Sequence, residues 1–130
     1  MKHEPEFYLC KRCGNIVALV HKGGGTLVCC GEEMTKLEAN TTDAATEKHV
    51  PVIEVNGNEV TVKVGSVPHP MTDEHYITWI CIQTEKGIQR KDLTPNDQPT
   101  ATFVLTDDDK LINAFEYCNL HGLWKAEYKD

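Results

Sequence analysis

Two groups of side chains in this sequence have the types and spacing of metal ligands, and the first group consists of cysteines. Cys10 and Cys13 form a Cys-x-x-Cys pair, and Cys29 and Cys30 follow as neighbours after fifteen intervening residues. Glycines stand before and after the second pair, so both pairs are expected to lie in tight turns. Four thiolates from two facing turns make a tetrahedral site that suits iron or zinc. The spacing alone leaves open a zinc ribbon that only stabilises the fold.

The second group consists of histidines and one further cysteine. They lie in three short polar stretches that interrupt strand-like sequence, namely EKHVP at residues 47–51, PHPMTDEH at 68–75 and CNLHG at 118–122. The members of the group are His49, His69, His75, Cys118 and His121. A single histidine is more often a surface or core residue than a ligand. Four histidines at strand ends, together with a Cys-x-x-His pair, nevertheless predict a second metal site.

A ligand set of four imidazoles and one thiolate favours a particular chemistry. Structural zinc prefers four ligands, whereas five protein ligands with one open position suit redox-active iron. A thiolate opposite the open position would push electron density through the metal. Glu47 and Lys48 stand immediately before His49 and could reach that position. Glu47 would then be a competing ligand, and Lys48 would be a cation for an anionic substrate.

The other histidines and the sixth cysteine are not expected to bind metal. His3 and His21 lack neighbours of the ligand type and are predicted to be exposed to solvent. Cys81 lies in the apolar run ITWICI, so it is predicted to be a small buried hydrophobic residue.

The stretches between the histidines predict a mainly β fold. VPVIEV and EVTVKVG flank an Asn-Gly turn, which predicts a first hairpin. HYITWICIQT and IQRKDL predict a second hairpin, TATFVLT and LINAFEY a third, and LWKAEY a closing strand. About seven short strands with frequent turn signals predict an antiparallel β-sandwich of immunoglobulin-like type over residues 49–130.

The first third of the chain predicts a separate small module. Residues 1–36 contain too few apolar side chains to bury a core, so a bound metal is expected to supply the folding energy. Residues 37–48, LEANTTDAATEK, are small and polar and are predicted to be a linker.

Charge and hydropathy argue against several classes of partner. The 130 residues carry a formal net charge of −7, whereas nucleic acids and anionic membranes favour clustered Lys and Arg. The longest apolar run, IVALV, is too short to cross a bilayer, and no targeting segment is visible. We therefore expect a soluble protein, by default cytoplasmic.

The motifs taken together resemble those of the desulfoferrodoxin family along the whole chain. YLCKRCGN and LVCCGEEM resemble the desulforedoxin module, a small rubredoxin-like metal knuckle, and EKHVP, VPHPMTDEHYI and CNLHGLW resemble the neelaredoxin-like catalytic module. The resemblance implies two irons per chain and neither haem nor flavin. It implies that the four paired cysteines bind a rubredoxin-like iron. The second iron would have four equatorial ligands, His49, His69, His75 and His121, and Cys118 as its axial ligand.

The same resemblance implies an activity and partners. The activity is superoxide reduction, in which superoxide takes up one electron and two protons and gives hydrogen peroxide but no dioxygen. Lys48 would attract the anion, and Glu47 would close the sixth iron position in the ferric state. A rubredoxin-like protein would return the electron, and the chain would form a homodimer. Two alternatives stay open at this point, an iron protein that transfers electrons without turnover and a superoxide dismutase.

Overall fold

The computed structural model describes residues 4–129, and the chain forms two compact units, Met1–Glu38 and Ala39–Asp130. The division falls within residues 37–48, for which the sequence predicts a linker. His3, for which the sequence predicts exposure, lies outside the described residues. None of the described helices is long and apolar enough to span a membrane.

The first unit is built from five very short strands. They are β1 (Phe7–Leu9), β2 (Ile16–Ala18), β3 (Val28–Cys29), β4 (Glu32–Glu33) and β5 (Thr35–Lys36). Strand β1 pairs with β2 and β5 in an antiparallel three-stranded sheet, and β3 pairs with β4. Strands of two or three residues bury few side chains, so this unit has no large apolar core of its own.

Both cysteine pairs of the first unit lie in tight turns, as the sequence predicts. In the first turn the N–H of Gly14 donates to the carbonyl of Cys10 over 2.8 Å, and Gly14 has a φ of 84°. In the second turn Cys30 and Gly31 have φ angles of 53° and 76°. Such left-handed backbone is uncommon for a residue other than glycine, and here it lets two adjacent cysteines face one point.

The second unit contains one short helix and seven strands. They are α1 (Thr46–His49), β6 (Pro51–Asn56), β7 (Glu59–Val64), β8 (Ile77–Thr84), β9 (Gly87–Asp92), β10 (Thr100–Val104), β11 (Leu111–Cys118) and β12 (Gly122–Glu127). One sheet has the strand order β10-β7-β6 and the other β12-β11-β8-β9, with every pair antiparallel. The predicted fold, a small cysteine module followed by an antiparallel β-sandwich, is confirmed.

Alternating apolar side chains form the core between the two sheets. Val60, Val62 and Val64 of β7 and Ile80 and Ile82 of β8 are almost fully buried. These residues are two apart along their strands, and therefore they point to the same face of each sheet. Side chains of β9 also reach the edge of the opposite sheet, where Gln89 and Lys91 donate hydrogen bonds to carbonyls of β10. These bonds satisfy carbonyls that an edge strand would otherwise expose.

Two of the three predicted hairpins are present. Strands β6 and β7 flank Gly57, whose φ of 63° fits the Asn-Gly turn, and β8 pairs with β9. The third predicted hairpin is wrong, because β10 pairs with β7 while β11 pairs with β8 and β12. Asp109, in the turn between β10 and β11, accepts hydrogen bonds from the hydroxyl of Thr84 (2.7 Å) and the N–H of Lys86 (3.0 Å). These contacts direct the chain across to the other sheet. The closing strand instead forms a hairpin with β11.

Candidate metal centres

The four paired cysteines form a compact cluster in the first unit. The sulfur atoms of Cys10, Cys13, Cys29 and Cys30 all lie within 4.8 Å of one another. The Cys13 and Cys29 sulfurs are 3.6 Å apart, and those of Cys29 and Cys30 are 3.9 Å apart. Cys10 is buried, whereas Cys13 and Cys30 are exposed. The cluster thus has a protected side and a side that faces solvent.

The four thiols of this cluster are so close that they can all ionise only if a cation lies among them. The backbone N–H of Cys13 lowers the pKa of Cys10 to about 7. The neighbouring Cys13 raises the pKa of Cys30 to about 12. Like charges this close destabilise each other, so four thiolates need a metal ion among them. The donor set and its spacing therefore fit a tetrahedral metal site.

The second cluster is assembled from three segments of the second unit that are separated in sequence. His49 ends α1, His69 and His75 lie in the connection between β7 and β8, Cys118 ends β11, and His121 lies in the turn before β12. A register shift between β11 and β8 occurs at Tyr117 and Cys118. Such a bulge re-aims a side chain at the end of a strand, and here it coincides with the cysteine of the cluster.

The four imidazole rings are arranged around a common centre. In the order His49, His69, His75, His121 and back to His49, the centroids of neighbouring rings are 4.7, 4.5, 4.9 and 4.8 Å apart. Neighbouring rings are close to perpendicular, with interplanar angles between 78° and 88°. The rings of His49 and His75, on opposite sides, are inclined by only 27° and are 6.4 Å apart. This is a square arrangement of four nitrogen donors.

Hydrogen bonds to backbone carbonyls determine which ring nitrogen of His49 and of His69 faces the centre of the cluster. Nδ1 of His49 donates to the carbonyl oxygen of Ala45 over 2.7 Å, and Nδ1 of His69 donates to that of Pro70 over 2.6 Å. The Nε2 lone pairs of these two rings are therefore free to bind metal, and the two Nε2 atoms lie 3.2 Å apart. Nδ1 of His121 lies 3.1 Å from Nε2 of His49. An orienting hydrogen bond at the outer nitrogen is typical of metal-binding histidines.

Burial favours the neutral form of three of these rings. Desolvation lowers the pKa of His69 to about 4, and it also lowers the pKa of His49 and of His75. Nε2 of His75 is buried and has no hydrogen-bond partner among the described residues. A buried nitrogen without a partner is costly unless a ligand binds it. The site therefore fits a metal ion bound through neutral imidazoles.

Cys118 completes this ligand set. Its sulfur lies 3.5 Å from Nε2 of His69 and 3.9 Å from Nδ1 of His121. Burial raises the pKa of the Cys118 thiol, while the backbone N–H groups of Leu120 and His121 act in the opposite direction. All five donor atoms of the cluster lie within 4.8 Å of one another. The sequence therefore predicts both side-chain clusters that the structure brings together.

Three further residues close to the second cluster were not predicted from the sequence, and two of them support it through contacts. Trp124 stacks on His49 with a centroid distance of 4.9 Å, and its indole N–H donates to the carbonyl of His121. Asn119 accepts from the N–H of Tyr76 (2.9 Å) and donates to the carbonyl of Glu74 (3.0 Å). Asn119 therefore ties the His75 segment to the Cys118 turn.

The third unpredicted residue is Glu116, which is fully buried two positions before Cys118. Neither of its carboxyl oxygens has a hydrogen-bond partner among the described residues, and desolvation raises its pKa well above the usual range. Burial at this inward-facing strand position therefore favours the protonated form of the carboxyl group. The polar residue in the row Ala114, Glu116, Cys118 is the only sequence signal that could have indicated it.

Glu47 and Lys48 lie in α1 immediately before His49, and both are exposed. The pKa of His75 is lowered first by burial, then by the neighbouring histidines, and also by the charge of Lys48. Lys48 therefore acts electrostatically on the cluster. His21 is exposed, and Cys81 is buried with a pKa raised by desolvation to about 12, so both of these predictions are confirmed.

Comparisons with known proteins agree with this geometry. Residues 2–37 match the family model for the desulfoferrodoxin N-terminal domain, and residues 41–127 match the model for desulfoferrodoxin. A desulfoferrodoxin homolog from Archaeoglobus fulgidus is 52% identical over 121 residues, which cover 93% of this chain and 95% of that protein. A desulfoferrodoxin from Nitratidesulfovibrio vulgaris is 50% identical over 127 residues, covering 98% of this chain and 99% of that protein.

A solved structure is similar over almost the same length. The crystal structure of the superoxide reductase from Treponema pallidum matches with a TM-score of 0.82 and 46% sequence identity, covering 96% of this chain and 100% of that chain. The two cysteine and histidine clusters, the family models and these relatives lead to one conclusion. The chain belongs to the desulfoferrodoxin family.

Proposed function

We propose that this protein reduces superoxide to hydrogen peroxide at the cluster of His49, His69, His75, Cys118 and His121. The observation that carries the proposal is the square of four imidazoles, two of them buried and two partly buried, completed by one buried cysteine sulfur. The similar structure from Treponema pallidum is that of a superoxide reductase. The two side-chain clusters match the two iron centres of desulfoferrodoxins, and a bound ferrous ion at the histidine cluster would supply the single electron that superoxide needs.

The residues around this cluster have separate tasks in the proposal. Ala45 and Pro70 fix the tautomers of two ligand histidines through their carbonyls, so that Nε2 of each faces inward. The exposed ammonium group of Lys48 attracts superoxide despite the net charge of −7, because local potential governs capture within a Debye length of about 8–10 Å. Solvent water delivers the two protons. The carboxylate of Glu47 would be a further ligand of the metal when it is ferric.

Product stoichiometry tests this function directly. The iron-loaded protein is supplied with superoxide and a chemical or protein reductant, and peroxide and dioxygen are measured together. A reductase forms one hydrogen peroxide for each superoxide consumed and no dioxygen. A dismutase forms one peroxide and one dioxygen for every two superoxide ions. Release of dioxygen in that ratio, or no consumption of superoxide by the loaded protein, would overturn the proposal.

We also propose the partners and cellular setting of the protein. An external one-electron donor of the rubredoxin type returns the electron, because the two protons and one electron per superoxide must come from outside the chain. None of the six cysteines forms a disulfide, which suits the reducing cytoplasm. The protein acts as a homodimer in this proposal. Residues 37–48 connect an N-terminal module of residues 1–36 to a catalytic module of residues 49–130.

Replacing Glu47 with alanine tests the role of its carboxylate. A group that binds only the ferric state does not hinder superoxide at the ferrous state, so we expect a nearly unchanged rate of capture. Removal of a negative charge makes the site more positive, so any small effect should be an increase. The ferric absorption spectrum should change, and that state should become open to azide or cyanide. Glu59→Ala, an exposed glutamate at the start of β7, is the control that should change neither property.

Replacing Cys13 with serine tests the independence of the two centres. Serine is a poor ligand for a soft site, so the rubredoxin-like absorption of the first centre should be lost and residues 1–36 should exchange amide hydrogens faster. Superoxide reduction should be largely retained, because the two ligand sets share no residue. The control is Cys81→Ala, since Cys81 is in neither cluster and both absorption spectra should persist. Loss of both centres in Cys13→Ser would contradict the proposal of independent modules.

A further inference from the structure

A short segment after β7 is packed against the backbone of the residues that the proposed function uses. The N–H of Val67 donates to the carbonyl oxygen of Glu47 over 2.9 Å, and the hydroxyl of Ser66 donates to the same oxygen over 3.3 Å. Two neighbouring residues therefore hold a single carbonyl group. We call residues 65–67 the clamp segment.

Gly65, the first residue of the clamp segment, has no room for a side chain. A Cβ atom added to Gly65 would lie 2.5 Å from the carbonyl oxygen of Glu47 and 3.0 Å from the carbonyl carbon of Lys48. Real Cβ atoms essentially never approach a heavy atom closer than 3.0 Å. The opposing atoms belong to the backbone, so no rotamer change relieves the contact. Gly65 is required here for close approach and not for an unusual φ.

The helix held by the clamp segment has little stability of its own. Helix α1 has only four residues, and its N-cap residue Ala45 makes no side-chain capping hydrogen bond. A single helical turn is unstable without tertiary contacts, because nucleation costs more than one turn of hydrogen bonds provides. The positions of Glu47 and Lys48 therefore depend on contacts from outside α1, and the clamp segment supplies three of them.

The clamp segment also connects these residues to a ligand of the metal site. The N–H of His69 donates to the carbonyl of Val64 over 3.0 Å, which closes a compact turn from Val64 to His69 around the clamp segment. One end of this turn carries His69, and its middle holds Glu47. We propose that Gly65 is a positioning residue, which with Ser66 and Val67 fixes the Glu47–Lys48 backbone relative to the ligand histidines. The functional part of this inference rests on the proposed function.

Amide hydrogen exchange tests the clamp without any reference to activity. In the full-length, iron-loaded protein, Gly65→Ala should lower the protection of the Val67 amide by about 10- to 100-fold, the range expected when an extra methyl is forced into packed structure. Gly25→Ala is the matched control, because a Cβ at Gly25 meets nothing within 4 Å. Unchanged protection of the Val67 amide in Gly65→Ala would overturn the inference. If Gly65→Ala does not fold, Ser66→Ala tests the inference instead. In that variant the protection of the Val67 amide should fall by about 2- to 10-fold. Unchanged protection in Ser66→Ala would also overturn the inference.

A double-mutant comparison tests whether Gly65 acts through Lys48. Gly65→Ala should slow capture of superoxide and weaken its dependence on ionic strength. The double variant with Lys48→Ile should be no slower than Lys48→Ile alone, since the residue being positioned is already gone. Full additivity would assign Gly65 a general structural role and overturn the positioning inference. If Lys48→Ile itself has no effect, the proposed role of Lys48 fails, and the exchange experiment still decides whether the clamp exists.

Discussion

Replacing Lys48 with isoleucine is expected to lower the bimolecular rate of superoxide reduction by about one to two powers of ten, the scale on which local charge steers a small ion. Lys48 is exposed, and its charge lowers the pKa of His49 and of His75 in addition to the larger effect of burial, so it acts on the centre of the cluster. The variant should also show a weaker dependence of the rate on ionic strength. Pulse radiolysis or stopped-flow mixing at several salt concentrations measures both quantities.

Lys110 provides a matched control for the charge change. Lys110→Ile alters the net charge equally, but Lys110 stands just before β11, whose last residue is Cys118. The eight residues of β11 place it roughly 25 Å from the cluster, which exceeds a Debye length of about 8 Å at physiological salt. Lys110→Ile should therefore keep the original rate, and Lys48→Arg should keep most of it. Equal slowing in both isoleucine variants would show that total charge, and not Lys48, governs capture.

Replacing Cys118 with serine should have the largest effect on the metal site itself. The sulfur of Cys118 lies 3.5 Å from Nε2 of His69 and 3.9 Å from Nδ1 of His121, so it is one of five converging donors. A serine hydroxyl is a harder and weaker ligand than a thiolate. Removing only the hydrogen-bond partner of a ligand typically lowers metal affinity by about 10- to 100-fold. Removing the ligand itself should therefore lower iron affinity by more than that. The sulfur-to-iron absorption band should disappear.

Three measurements on Cys118→Ser separate ligation from general damage. Iron content and the visible spectrum report the second centre, the absorption of the four-cysteine centre reports the first, and thermal unfolding reports the fold. The histidines should still bind some iron, so the variant should be weakened and not empty at high iron concentration. Cys81→Ala should leave both spectra unchanged. An unchanged spectrum and rate constant in Cys118→Ser would remove Cys118 from the ligand set.

The sequence predicts ligand types far better than it predicts the groups that hold them. Soft and borderline metal ions are bound mainly by cysteine and histidine, and the spacing of these residues within turns is local, so both clusters could be predicted. The roles of Asn119 and Gly65 depend on contacts with segments that are distant in sequence, such as Glu74 and Glu47. No local pattern distinguishes an asparagine that joins two ligand segments from one that simply forms a turn.

The wrong third hairpin has the same physical origin. The residues of β10 and β11 have the alternation of strands, and the acidic turn between them resembles a hairpin turn. Strand propensity does not specify the partner strand, because pairing is decided by side-chain packing and by contacts such as those of Asp109 with Thr84 and Lys86. The number of strands in the second unit could therefore be predicted, while one of their pairings could not.

The backbone carbonyls that accept hydrogen bonds from the Nδ1–H groups of His49 and His69 also affect the net charge of the second centre. Carboxylates in those positions would draw the protons away and add negative charge beside the ligands. With neutral carbonyl partners, four neutral imidazoles and one thiolate leave a bound ferrous ion with a single net positive charge. Four thiolates around the same ion would instead leave two net negative charges. With iron bound, the histidine centre would therefore attract an anionic oxidant and the cysteine centre would repel it. The two sites would thus differ in the charge of the redox partners that they favour.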